Sequence, residues 1–389
     1  MINFENTKSA FAHQSDWELK KAYFLFSVIK SAYLVKIGSV LLKFSFFLKL
    51  PIKRMVKRTI FRQFCGGENI KDCKDKINHL SQFGIGTILD YSVEGKENDK
   101  DFERTKKEII QTILFSANNS KCPFSVFKVT GLGRSSLIQK ASQGVVKLNK
   151  SESEELKNIT VRIDEICKKA FENKVSLLID AEDSWFQDFI DTQAELMILK
   201  YNKDQTIIYS TIQLYRHDRF NYMKKLIDKC ENNNCYLGLK LVRGAYMEKE
   251  REVAFKNGYP DPIHATKKAT DSDFTKAVEY CVSKINFVSI CSGTHNELSV
   301  QHLVKLMLKK KLSNNDNRIY FAQLLGMSDH ISFNLSAMGY NVAKYVPYGP
   351  VKEVLPYLIR RAEENTSVSG QTSRELSLIE KEIKNRRSV

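Results

Sequence analysis

With 389 residues, 42% of them hydrophobic, and only 17 Gly and 7 Pro, the chain can bury one large core and is neither disordered nor fibrous. Its net charge of +16 is uneven: residues 1–64 hold 12 Lys and Arg against 3 Asp and Glu, so the basic excess is mainly N-terminal and no nucleic-acid partner is expected. Eight scattered cysteines without CxxC or zinc-like pairing read as reduced thiols, with no metal site and no disulfide framework.

The opening MINFENTKSAFAHQ lacks the basic-then-apolar layout of a secretory signal, so export is not expected. From Tyr23 to Leu50 the sequence is strongly apolar, but Lys30, Lys36, Lys43 and Lys49 interrupt it before any run reaches the ~18 uncharged residues of a membrane span. The next stretch, KLPIKRMVKRTIFRQF, adds Lys53, Arg54, Lys57, Arg58 and Arg62 among apolar residues. Two readings stand side by side: helices lying in a membrane interface, with cations drawn to anionic lipid, or helices packed on the main domain with their lysine stems snorkelling.

After Gly66 and Gly67 the pattern changes to short β-rich runs at 86–95, 124–132, 175–183, 206–215, 236–244, 286–293, 319–327 and 341–349. Between them lie charged segments such as ESEELKNITVRIDEICKKAFEN, whose apolar residues recur at helical spacing. Eight near-continuous apolar runs alternating with helices predict an α/β fold, a (β/α)8 TIM-like barrel with an N-terminal helical extension. A doubly wound sheet is the rival, but GLGRSS at 131–136 is only a partial echo of its phosphate-binding turn. The expected organisation is a helical segment over 1–83, the barrel over 84–375 and a basic tail over 376–389.

In such barrels chemistry sits at the C-terminal strand ends. Those ends carry Asp90 and Glu94, Lys128, Asp180 and Glu182, Gln213, Lys240 and Arg243, Thr294-His295-Asn296, Gln323, and Tyr345. Each has a bland alternative: Asp180 as a helix cap, His295 as a satisfied structural histidine, Gln213 as an exposed side chain. Beyond the eighth run, YLIRRAEEN sets Arg360 beside Arg361. Two guanidinium forks suit a small carboxylate, although pairing of Arg360 with Glu363 or Glu364 along a solvated helix face would also account for them.

Taken together, LLIDAED (177–183), KLVRGAYMEKER (240–251), SGTHNE (292–297), FAQLLGM (321–327) and YVPYGPVKEVLPYLIRRAEEN (345–365) resemble proline dehydrogenase, in order, over roughly residues 84–370. The LDYSVEG run and Lys240 look more like the monofunctional, eukaryotic-type branch. The resemblance implies a flavoenzyme that oxidises L-proline to 1-pyrroline-5-carboxylate with FAD and passes electrons to membrane quinone. By the same resemblance Arg360 and Arg361 bind the substrate carboxylate, Lys128 is a substrate lysine, Asp180 is the strand-3 aspartate, and Tyr345 and Tyr246 line the proline pocket. Gln213, Lys240, Arg243, Gly244, Ala245, Thr294, His295, Asn296, Gln323 and Glu363 match positions around the flavin, with Thr266 and Lys267 as further matches. Some bacterial members carry arginine where this chain has Lys240, so the charge is kept and the fork geometry is not.

The resemblance also bears on location and selectivity. The expected location is cytoplasmic, with peripheral contact on the inner face of a bacterial membrane, or on the mitochondrial inner membrane in a eukaryote. Related hydroxyproline dehydrogenases have a small residue at the Tyr345 position, so Tyr345 implies preference for proline. The other readings are a different flavin barrel, such as methylenetetrahydrofolate reductase, and a non-enzymatic membrane-binding barrel.

Overall fold

The computed structural model describes residues 2–48, 51–93, 97–144, 147–367 and 371–388. Eight parallel strands, β1 (Ile85–Tyr91), β2 (Phe124–Phe127), β3 (Ser176–Ile179), β4 (Ile208–Gln213), β5 (Leu237–Val242), β6 (Val288–Gly293), β7 (Ile319–Leu324) and β8 (Val342–Tyr348), follow one another in a closed barrel. Each coincides with one of the apolar runs of the sequence, β1 starting one residue ahead of its run, which bears out the expected fold. Every residue of β2, β4 and β8 is buried, because a barrel strand is covered by helices outside and by other strands inside.

Except for β6, the strands stop earlier than their runs. The run from Phe124 keeps ladder geometry only to Phe127 and then tightens into a 3-10 turn at Val129–Gly131. Lys128 and Asp180 therefore sit directly beyond β2 and β3.

Two compact units share the chain: residues 95–322, and residues 1–94 together with 323–389. In the first unit the N-terminal strand ends are plugged by aromatic rings. Phe124 meets Tyr209 and Tyr320 edge-on, with ring centroids 5.3 and 4.9 Å apart. Gly238, paired in register with Tyr209, makes room for that ring, since any Cβ there would overlap it. The outer helices follow the same logic of burial. The Lys150–Glu172 helix starts at an Asn149/Glu152 capping box and buries Ile159, Ile163, Ile166, Cys167 and Ala170 at helical spacing. Each buried isoleucine contributes about 1.5–3 kcal/mol by removing its side chain from water.

In the second unit the N-terminal helices pack on the C-terminal ones. Phe11, Leu19, Ala22 and Phe26 join Leu378 and Ile379 of the Gln371–Arg387 helix in one cluster. Ile29, Val56, Phe61 and Phe64 join Val354, Tyr357 and Leu358 of the Val351–Ser367 helix in another. Yet the Asp16–Ile29 and Ala32–Phe47 helices also leave Trp17, Phe24, Tyr33, Ile37, Val40, Leu41 and Phe44 exposed. No single helix among the described residues is long and apolar enough to cross a membrane.

Candidate active site

Three charged side chains converge at the C-terminal strand ends of the 95–322 unit. Lys240, the one charged residue of LGLKLV in β5, donates to Asp180 Oδ1 at 2.5 Å, and Lys128 Nζ lies 3.7 Å from Asp180 Oδ2. The three side chains are 10, 11 and 19% exposed for Lys240, Asp180 and Lys128 respectively. A carboxylate held by two ammonium groups concentrates charge in a poorly solvated place, where electrostatic interactions with a ligand are strong. The Cys291 thiol, in register with Lys240, is pushed up to about 12 by burial, so it acts as packing and not as a nucleophile.

Hydrogen bonds around this trio fix the loops that carry it. Glu182 accepts from the Thr130 amide at 3.0 Å and from the Thr130 hydroxyl, tying the loop after β3 to the turn after β2. Gln213, the last residue of β4, donates to the Glu182 carbonyl at 3.0 Å. Its Oε1 is buried and has no hydrogen-bond partner among the described residues. A buried amide oxygen left without a donor costs about 1–3 kcal/mol, so this atom is a candidate acceptor for a ligand N–H.

Arg243, directly after β5, is spoken for by protein partners. It donates to Asp271 Oδ1 (2.8 Å), Thr294 Oγ1 (2.7 Å) and Ser299 Oγ (2.8 Å) and stacks over Phe274 at 4.5 Å. It thus pins the β5 loop to the loop after β6. Gly244 has φ +128°, and a Cβ there would run into the Tyr215 ring, so only glycine fits. Ala245 is exposed and Tyr246, half-buried, opens the Met247–Asn257 helix. Thr266 caps the Lys267–Ser283 helix by accepting from the Ala269 amide, and both Thr266 and Lys267 are exposed. Thr294 is buried, His295 is half-buried, and Asn296 caps the Glu297–Lys309 helix.

Two features of this unit escape the sequence reading. The Lys240–Asp180 pair is one: a lysine inside a strand buried on both faces demands a counter-charge, and that signal is present in LGLKLV. Glu250 is the other. Fully buried, it accepts from the Ser184 amide (2.7 Å) and hydroxyl (2.5 Å), joining the loop after β3 to the helix after Tyr246. Burial raises its carboxyl above the usual range. Nothing in its helical charge run distinguishes it from its exposed neighbours.

In the other unit, Tyr345 is a buried residue of β8 in register with Ile88 of β1. Gln323, near the end of β7, accepts from Ser332 Oγ at 2.9 Å on the Asp329–Ala337 helix. Asp90 Oδ2 accepts from Ser92 Oγ at 2.5 Å, and Glu94 lies outside the described residues. Arg360 is half-buried, Arg361 is buried beside the Tyr357 ring at 5.2 Å, and Glu363 is exposed. All three lie on the Val351–Ser367 helix, which carries Pro356 within it. Adjacent residues on a helix differ in direction by about 100°, which accounts for the different burial of the two arginines.

A family model described as Proline dehydrogenase matches residues 73–374. The chain belongs to the proline dehydrogenase family. It is 32% identical to "Proline dehydrogenase 1, mitochondrial" of Dictyostelium discoideum, over 98% of this chain and 74% of that one. To the hydroxyproline dehydrogenase of Xenopus laevis it is 29% identical, over 97% of this chain and 88% of that one. A crystal structure of proline utilization A from Bdellovibrio bacteriovorus, inactivated by N-propargylglycine, superposes with a TM-score of 0.73 at 19% identity, covering 92% of this chain and 40% of that longer one. This last likeness concerns the fold. Family membership makes the chain an oxidoreductase with the barrel architecture of its relatives.

Proposed function

We propose that this protein oxidises L-proline to 1-pyrroline-5-carboxylate using FAD and hands the electrons to a membrane quinone. The observation that carries the reading is the Lys128–Asp180–Lys240 constellation at the ends of β2, β3 and β5 in a chain of this family. Arg360 and Arg361 hold the substrate carboxylate, as paired guanidinium forks do. Tyr246 and Tyr345 bound the ring, and holding the carboxylate restricts the rotation of the reacting carbon. The positive charge of Lys128 and Lys240 favours the neutral amine over the ammonium form, and oxidation needs that nitrogen lone pair. Asp180 holds both lysines and takes no part in the transfer itself.

The residues present suit FAD. Gln213 Oε1, buried without a donor, fits a ring N–H, and the exposed start of the Lys267–Ser283 helix, with Thr266 and Lys267, suits a diphosphate. Gly244 permits close backbone approach, while Lys240, Arg243, Ala245, Thr294, His295, Asn296, Gln323 and Glu363 complete the set assigned to the cofactor. Bound there, FAD would accept the hydride from the substrate ring carbon. Arg243 serves it by holding Thr294 in place.

Quinone and membrane enter through the exposed apolar faces of the N-terminal helices, whose cations favour an anionic lipid surface. We assign the chain to the face of the membrane that holds its quinone; the Dictyostelium relative bears "mitochondrial" in its name. The deciding experiment is an anaerobic visible spectrum of the purified protein. Flavin bands that bleach on addition of L-proline are expected; bands that bleach with NADH and not with proline would refute the reading.

A further inference from the structure

A cavity of about 100 Å³ lies within the unit formed by residues 1–94 and 323–389. The Asp16–Ile29 helix contributes Glu18, Lys21 and Leu25 to its wall, the Ile70–Gln82 helix contributes Lys76 and His79, and Arg62, Lys344 and Asp329 add further charge. The charges do not balance. Asp329 is committed to Lys344 (2.8 Å) and His13 (3.2 Å), and Glu18 to the Ser15 cap and to Arg62 at 3.5 Å. Lys21 donates to the Arg58 carbonyl at 2.5 Å and lies over the Trp17 ring at 5.3 Å, with Glu18 acting on it only at longer range. Lys76 forms neither a hydrogen bond nor an ion pair among the described residues, and feels Asp329 and Glu18 only at longer range.

Two further wall atoms are unmet. His13 Nδ1 and Gln14 Oε1 are buried without hydrogen-bond partners among the described residues. The His13 ring is held rigidly, stacked on Phe333 with centroids 3.8 Å apart and planes at 7°. Burial pulls both the Lys21 and the Lys76 ammonium below the usual lysine range, with the Arg62 charge adding to it and the carboxylates of Glu18, and for Lys76 also of Asp329, offsetting it only in part.

We propose that this cavity is a binding site for a phosphate group, with Lys76 and Lys21 as its principal cations. A phosphate offers several oxygens to converging donors, where a carboxylate offers two. A protonated phosphate oxygen can donate to Gln14 Oε1, and His13 Nδ1, where it carries the ring proton, can donate to an unprotonated one. The site is independent of the oxidoreductase reading, because it uses none of the residues assigned to proline or FAD.

The phosphate has two sources, free in solution or on a lipid. The second is physically reasonable because Trp17, on the cavity wall, and Phe24, on the same helix, are 65 and 70% exposed. The test uses the full-length protein and its Lys76→Met and Lys76→Arg variants. Calorimetric titration with inorganic phosphate is run against chloride at matched ionic strength, and flotation with vesicles of phosphatidylglycerol against phosphatidylcholine. Wild type and Lys76→Arg are expected to bind, and Lys76→Met to bind about tenfold more weakly, the value of one charge-assisted contact. A difference confined to the phosphatidylglycerol arm identifies lipid as the source; one seen with inorganic phosphate identifies the free ion. Equal behaviour of wild type and Lys76→Met in both arms, with each variant melting as wild type does, overturns the proposal.

Discussion

Asp180 is the residue on which the candidate site depends most, because its carboxylate meets both Lys128 and Lys240. Asp180→Asn keeps the size and removes the charge, so Lys128 and Lys240 both lose the Asp180 carboxylate in a poorly solvated place. Breaking a buried pair of this kind costs about 3–5 kcal/mol. The variant is therefore expected to melt at a lower temperature and to reduce flavin with proline at least about 100-fold more slowly, the scale of losing one preorganised electrostatic group. Rapid-mixing measurement of flavin bleaching checks this, and full-rate reduction would exclude the role. Tyr345 carries a separate expectation. Buried in β8, it leaves little room for a ring hydroxyl, so kcat/KM should favour proline over trans-4-hydroxyproline, and Tyr345→Ser should narrow the gap. Comparable values for the two substrates in the unaltered protein would sink the claim. The Xenopus hydroxyproline dehydrogenase relative makes that comparison a pointed one.

At the scale of elements, the eight strands are legible in the sequence because parallel strands buried on both faces are largely apolar. Their ends are less so: Lys128-Val129-Thr130 continues the β-like composition of β2 while the backbone has already turned. The strand-end residues were readable for the same reason, since polar groups on apolar strands are few. The Glu250 bridge to Ser184 was not, because it depends on how one helix sits against one loop. For the N-terminal helices the sequence offered interface or packing, and the structure contains features of both. Phe11, Leu19, Phe26, Phe61 and Phe64 are buried, while Tyr33, Ile37, Val40, Leu41 and Phe44 recur at helical spacing on an exposed face of the Ala32–Phe47 helix. Deleting residues 1–64 would tear out core as well as surface, so the clean probe of membrane contact is the exposed face alone. A triple variant, Phe24→Ser, Tyr33→Ser and Val40→Ser, is expected to lose most vesicle binding and quinone-coupled turnover while turnover with a soluble dye stays unchanged. Vesicle binding equal to that of the parent would assign these helices a packing role only.

On the scale of the whole molecule, the two ends of the chain meet at one buried charge cluster within their unit. Residues as distant in sequence as His13, Asp329, Lys344 and Glu375 take part. Burial alone would raise the Asp329 carboxyl, but Lys344 and then His13 hold it well below the ordinary range. A depressed carboxylate stabilises the fold above its unfolded value of about 3.9, and that stability is lost as pH falls below it. Glu375 runs the opposite way. Burial pushes its carboxyl up, so the folded state keeps a proton that the unfolded chain releases near pH 4.3, and stability falls as pH rises from there through the folded value. Glu375→Gln keeps an acceptor for the Ser328 amide and removes this titration. It is expected to raise the melting temperature at pH 7 and to leave it unchanged near pH 4. Lys344→Met is expected to do the reverse of a stabilising change at neutral pH, losing about 3–5 kcal/mol in denaturant titration because Asp329 is left charged and buried without its main partner. That loss should shrink as acid neutralises Asp329. A Lys344→Met penalty that is the same at pH 7 and at pH 3 would mean that packing, and not this charge pair, joins the ends of the chain.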